Sequence, residues 1–156
     1  IAGSGPQLGE LQALASSLGV ADQVRFTGRL DREEMAILYR DADLALNPSR
    51  VDNMPNSVLE ALASGVPVVT TNVGGIPYIV EHEVTALLVP RDDPDAMASA
   101  ALRVLDDAAL ASRLRIAGQE DVQRYSWAAV RGDLLAAYIA AVQHGRRATQ
   151  SALGVH

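Results

Sequence analysis

Two carboxylates flank the start of a short helical pattern in the stretch Pro48-Ser49-Arg50-Val51-Asp52-Asn53-Met54-Pro55-Asn56-Ser57-Val58-Leu59-Glu60. Pro55 suits the first turn of a helix, where its missing N–H costs nothing. The N–H groups of Asn56, Ser57 and Val58 then lack intrahelical partners, and with the helix dipole behind them they make an anion site. Asp52 lies on the loop before that site. Glu60 lies one turn inside the helix, among Val58, Leu59, Ala61, Leu62 and Ala63. A carboxylate in such apolar company is costly unless hydrogen-bonded, and a pair of ribose hydroxyls would satisfy it. Two structural roles compete. Ser57-x-x-Glu60 has the spacing of a capping box, and Asp52 can serve as an ordinary acceptor for helix-start N–H groups. Two acids bracketing one helix start favour a ligand site.

Two glycine-rich stretches carry weaker signals. Gly3-Ser4-Gly5-Pro6-Gln7-Leu8-Gly9 lacks the third glycine of a dinucleotide fingerprint, because Leu8 stands there, so a strand-to-helix turn is the better reading. In Asn72-Val73-Gly74-Gly75-Ile76-Pro77 the paired glycines let backbone pass close to a ligand, or meet a need for positive φ before a short helix.

Composition narrows the chemistry. The chain has 156 residues, no Cys and a formal net charge of −6. Disulfides, thiolate metal sites and cysteine nucleophiles are excluded, and a reducing, cytoplasmic setting fits. The acidic balance disfavours nucleic acid as a partner. All 13 basic residues are Arg. Without Lys neither a Schiff base nor a P-loop can form, so phosphate must be held by Arg, backbone N–H groups or a helix N-terminus. The longest apolar run, Leu134 to Val142, is nine residues, against roughly 20 for a membrane span.

The elements that must position these residues alternate. Strand patterns cover Val24 to Thr27, Asp43 to Asn47, Val66 to Thr71 and Ala86 to Val89. Helical patterns cover Leu8 to Leu18 (closed by Gly19), Asp31 to Asp41, Ser57 to Ser64, Asp95 to Leu105, Leu110 to Val122 and Trp127 to Val142. In the second helix Asp31 is the expected N-cap, and Met35, Leu38, Tyr39 and Ala42 form one apolar face. Leu135, Tyr138, Ile139 and Val142 share a face of the last helix, and core packing is expected for Trp127 and Tyr138. Strands alternating with helices predict an α/β fold, a parallel sheet flanked by helices, with ligands beyond the carboxyl ends of the strands. One domain is expected over residues 1–143 and a frayed tail over 144–156. The opening at Ile1, running straight into Gly3-Ser4-Gly5-Pro6, reads as the interior of a longer protein.

The ordered motifs resemble a known family. Asp52-x7-Glu60, then Ala61-Leu62-Ala63-Ser64-Gly65-Val66-Pro67-Val68-Val69, then Gly74-Gly75-Ile76-Pro77, then Leu87-Leu88-Val89-Pro90, is similar to the glycogen-synthase-like retaining glycosyltransferases (glycosyl transferases group 1) of the GT-B fold. Val24-Arg25-Phe26-Thr27-Gly28, Tyr39-Arg40-Asp41-Ala42-Asp43 and Pro48-Ser49 extend the resemblance over most of the chain.

The resemblance implies the Rossmann-like, donor-binding half of a two-domain enzyme. Such an enzyme moves a hexosyl unit from a UDP- or GDP-sugar to a saccharide, lipid or small acceptor, with no metal and no cofactor besides the donor. Asp52 would contact the sugar as the catalytic acid of the motif and Glu60 the ribose. Backbone at Asn53, Met54, Pro55, Asn56 and Ser57 would meet sugar and diphosphate, and Gly28, Arg29 and Leu30 would lie near the base. An acceptor domain, further cations and any peripheral membrane contact would come from elsewhere in a longer chain, leaving this piece inactive alone. The chain departs from the pattern at four places: Asp52 replaces the usual Glu, Asn53-Met54-Pro55 the usual Gly-Phe-Gly, Tyr78 the usual acid and Ala86 the usual glycine. An epimerase or phosphorylase of the same fold, or a degenerate domain that only binds, are the alternative readings.

Overall fold

The structure is a computed structural model that describes the backbone of residues 1–152 and the side chains of residues 1–143. It forms two compact units, Ile1–Ala42 and a second beginning at Asp43.

In the first unit, α1 (Leu8–Ser17) ends at Leu18, and Gly19 follows with φ 70, the left-handed residue that commonly closes a helix. The Gly3 to Gly9 stretch is a turn into this helix. α2 (Arg32–Arg40) opens on a full capping box. Asp31 Oδ1 accepts from Glu33 and Glu34 N–H at 2.9 Å each, and Glu34 Oε2 accepts from Asp31 N–H at 2.9 Å. Its expected apolar face is turned inward, with Tyr39 buried. The expected strand Val24 to Thr27 is reduced to isolated bridges between Ala2–Gly3 and Gly28. The two segments exchange few backbone bonds: Ile1 donates to Arg25 O at 2.7 Å, Thr27 to Ile1 O at 3.0 Å and Gly3 to Gly28 O at 2.7 Å. Gly3 at φ 118 and Gly28 at φ 70 then turn both segments out of register.

The second unit is a parallel sheet with helices on both faces. β1 (Ala45–Asn47), β2 (Val68–Thr71) and β3 (Leu87–Val89) lie in the order β1-β2-β3, with Asn47 opposite Thr70 and Thr71 opposite Val89. Side chains alternate across a strand. Val69, Leu87 and Val89 therefore share one face, where they pack with Val104, Leu110 and Leu114 of α4 (Pro94–Asp106) and α5 (Ala108–Asp121). Val68 and Thr70 point to the other face. There α3 (Asn56–Ala63), which packs on β1 and β2, buries Val58, Ala61 and Leu62. β2 is buried along its whole length, as a strand covered on both faces should be. β1 departs from that expectation, because Leu46 is 52% exposed.

Asp93 caps α4 and Asp107 caps α5, each accepting from helix-start N–H groups. Glu83, at φ 64, pairs with Arg103 Nη1 at 2.6 Å and so ties the turn before β3 to α4. That hydrogen bond and charge hold the Glu83 carboxyl below its usual range.

α6 (Trp127–Ala152) corrects two expectations. Its backbone continues past Val142 to Ala152, because nothing from His144 to Ala152 is a proline and good helix formers recur. The side chains from His144 and all of residues 153–156, on which the tail was expected, lie outside the described residues. Trp127 and Tyr138 are 67% and 64% exposed rather than packed in a core, since the helix touches little but the turn before it. Among the described residues no helix is long and apolar enough to cross a membrane.

Leu114 is fully buried between sheet and helices, whereas Leu105 is 54% exposed. Leu114→Ala should lower unfolding free energy by ~2–5 kcal/mol, the cost of an unfilled core site. Leu105→Ala should cost under about 1 kcal/mol. Equal costs in denaturant melts would contradict this placement of the core.

Candidate functional site

The loops leaving the carboxyl ends of β1 and β2 meet over the start of α3. Asn47 ends β1, and its side chain turns the chain. Oδ1 accepts from Ser49 N–H at 3.0 Å, and Nδ2 donates to Ser57 Oγ at 3.4 Å, reaching the first turn of α3. Thr71 ends β2 and donates its hydroxyl to Ser49 O at 2.5 Å. Arg50 Nε donates to Asp92 Oδ1 at 2.5 Å, across 42 residues. The Asp52 carboxylate, half-buried, accepts from Met54 N–H at 3.1 Å. These bonds fix the loop from both ends before any ligand arrives.

The paired glycines meet the second of their two readings, a positive φ at Gly74 before the short helix Ile76–Tyr78, and their close neighbour is the protein's own backbone. Gly75 N–H donates to Asp52 O at 2.8 Å. A Cβ on Gly74 would run into the Asp52 carbonyl, and one on Gly75 into the Asn53 carbonyl. Gly74 also has φ 53. The close approach that the glycines permit is therefore to the backbone of the acid-bearing loop. The two motifs read separately in the sequence form one unit.

α3 begins at Asn56, with buried Pro55 as its N-cap residue and no side chain capping it. Ser57 is thus the second helical residue and not the N-cap that the expected Ser57–Glu60 capping box requires. The expected donor set shrinks as well, since Val58 N–H bonds Pro55 O at 3.1 Å and Leu59 N–H the same oxygen at 3.3 Å. The first turn still opens to solvent, with Asn53, Met54, Asn56 and Ser57 exposed. Glu60 is also exposed, which corrects its expected apolar setting. The helix rotates about 100° per residue, so with Val58, Ala61 and Leu62 inward, Glu60 shares the outer face with Asn56. Asp52 and Glu60 thus lie before and after one uncapped, solvent-open helix start. The dipole favours an anion there, and the carboxylates are suited to hydroxyl groups beside it.

The remaining expected residues lie in the first unit. Gly28 and Leu30 are half-buried, and Arg29 Nε donates to Ser4 Oγ at 3.2 Å. Sequence reasoning passed over Arg50 and Thr71. The signal was present for Thr71, a polar pair, Thr70-Thr71, ending an otherwise apolar strand. Thr70 is buried with its hydroxyl unpartnered among the described residues. A cavity of about 480 Å³ lies on the α4 side of the strand ends, lined by Leu46, Arg50, Thr71, Asp92 and Met97 among others.

The glycine contact is testable on its own. Gly75→Ala must push back a carbonyl that has no flexible end to yield, so it should cost ~1–3 kcal/mol of unfolding free energy. It should also shift the backbone amide resonances of Met54 and Asn56. Wild-type stability with unmoved resonances would refute the contact.

Comparison with known proteins agrees with this architecture. Residues 1–107 match the family model described as glycosyl transferases group 1. A D-inositol 3-phosphate glycosyltransferase of Jonesia denitrificans is 37% identical over 131 residues, 84% of this chain and 31% of its own length. The sucrose-phosphate synthase of Thermosynechococcus elongatus superposes with TM-score 0.79 at 35% identity, over 89% of this chain and 37% of the other. The Anabaena protein HepE, crystallised with UDP and glucose, superposes with TM-score 0.84 at 21% identity, over 89% and 39%. The chain thus spans about a third of the length of the curated relatives it matches. Its parallel sheet, its motif order and the family match over residues 1–107 together place the chain in the group 1 glycosyl transferases, with their GT-B fold.

Proposed function

We propose that the start of α3 receives a nucleotide-diphosphate sugar, with UDP or GDP as the nucleotide. In the full-length protein a hexosyl unit then passes to a saccharide, lipid or small acceptor with retention of anomeric configuration. The observation that carries this reading is the uncapped, solvent-open first turn of α3 lying between Asp52 and Glu60. The diphosphate lies against the Asn56 and Ser57 end of the helix, where the dipole offsets its charge. As the sugar–phosphate bond breaks, the same dipole stabilises the charge that builds on the leaving diphosphate. Asp52 accepts hydroxyls of the sugar and Glu60 those of the ribose. Backbone at Asn53 and Met54 lines the sugar, and Pro55 contributes no donor. The family resemblance assigns Gly28, Arg29 and Leu30 to the base. No metal takes part.

Family membership supports this reading, as do neighbours of the same fold crystallised with UDP and with UDP-glucose. The acceptor and the cations that complete the charge balance on the diphosphate are assigned to the part of the protein outside this chain. The lack of Cys is consistent with a cytoplasmic setting.

Four outcomes are expected. Nucleotide titrated into full-length Glu60→Ala should bind about tenfold more weakly. That is the low end of ~1.5–3 kcal/mol for a charged hydrogen bond, as suits an exposed carboxylate. Asp52→Ala should lower turnover more than nucleotide affinity; equal activity in this variant would remove Asp52 from the reaction. The full-length protein should release nucleotide from a UDP- or GDP-sugar only when an acceptor is present. Release without acceptor would instead indicate an epimerase, and no binding of any donor a degenerate domain. The isolated 156-residue chain should transfer nothing.

A further inference from the structure

The pair Arg50–Asp92 lies outside the two-acid motif, and nothing in the proposed donor contacts uses it. Arg50 stands two positions before Asp52 on the same loop. Asp92 stands in the turn between β3 and α4. Their bond joins segments 42 residues apart. Two independent features mark it as more than a chance surface contact. Asp92 adopts φ 57, a left-handed backbone that residues with a Cβ adopt rarely and that Asp and Asn tolerate best. The bond is also the outermost of a set of ties on one short loop. Thr71 holds Ser49 O, Asn47 holds Ser49 N–H, and Gly75 holds Asp52 O. Those three ties come from β1, β2 and the turn after β2. Of these ties, the one from Arg50 reaches the β3 side.

We infer that Arg50 and Asp92 are positioning residues, a latch that fixes the Asp52 loop against the turn before α4. They set where the Asp52 carboxylate stands without touching the donor. The orientation of Arg50 fits this role. It lines the cavity on the α4 side of the strand ends, together with Asp92 and Met97, whereas the first turn of α3 lies on the opposite face of the sheet. The side chains of Arg50 and Asp92 are 77% and 49% exposed. An exposed pair adds little to global stability, so its removal should show in the loop and not in the melting temperature. This inference rests on the proposed role of Asp52 only for its kinetic arm.

The test uses Arg50→Ala, Asp92→Asn and the double variant in the full-length protein. Asn keeps the left-handed backbone accessible and removes only the charge. Amide hydrogen exchange across residues 49–55 should quicken about three- to fivefold in each single variant, with exchange in β2 and the melting temperature unchanged. The double variant should be no faster than Arg50→Ala alone, because without the guanidinium the residue at 92 has nothing left to hold. In transfer assays kcat should fall three- to fivefold with donor KM changed less than twofold, and Arg50→Lys should recover part of the loss. Unaltered exchange in the loop, or additive effects in the double variant, would overturn the latch. Quickened exchange in a protein whose wild type transfers no sugar would sustain the latch and defeat the proposed function instead.

Discussion

The position of the acid-bearing loop depends on a backbone contact. Gly74 and Gly75 lie so close to the Asp52 and Asn53 carbonyls that no side chain could be added to either glycine without moving the loop. A side-chain contact could adapt to a substitution by changing rotamer, but two peptide backbones in contact have no such freedom. The hydrogen bond from Gly75 N–H to Asp52 O then fixes the register of that contact. The buried strand β2 supplies the rigid base from which the glycines extend, and Thr71 at its end holds the same loop a few residues earlier. The geometry of the site is thus inherited from the most buried strand of the sheet.

Around this anchor, local and tertiary effects divide the work. Pro55 stands at the N-cap of α3 with no side-chain acceptor to offer, and among the described residues no side chain caps the helix. The helix start is therefore left facing solvent, which costs stability and creates electropositive character in one step. The opposite arrangement holds at α2, α4 and α5, where Asp31, Asp93 and Asp107 satisfy the first turn. Among the described helix starts α1 also lacks a side-chain cap, but α3 alone of these two lies between Asp52 and Glu60, so the flanking acids as well as the open cap set it apart.

Much of this was legible in the residues. The N-cap at Asp31, the apolar face through Tyr39, the glycine closing α1 and the buried strand β2 follow from local rules and hold in the structure. The two-acid motif was placed on the right loop and helix. Some failures came where a partner distant in sequence decides the outcome, others where side-chain direction does. Val24 to Thr27 has strand composition, but its ladder depends on what Ile1 to Gly3 offers, and glycines end it. Glu60 looked enclosed because its sequence neighbours are apolar, whereas helical rotation turns it outward. Trp127 and Tyr138 looked like core residues by type and are exposed along α6. The link from Arg50 to Asp92 could not be read at all, since a charge in a loop carries no record of a partner 42 residues away.

Backbone amide shifts followed while UDP is added to the full-length protein test the central claim most directly. If the open end of α3 is where the diphosphate lies, the largest displacements fall at Asn56, Ser57 and the neighbouring loop residues Asn53 and Met54, saturating with nucleotide. The capped starts of α4 and α5 stay still. Displacements confined to other parts of the chain, with Asn56 and Ser57 unmoved at saturating nucleotide, would contradict the account.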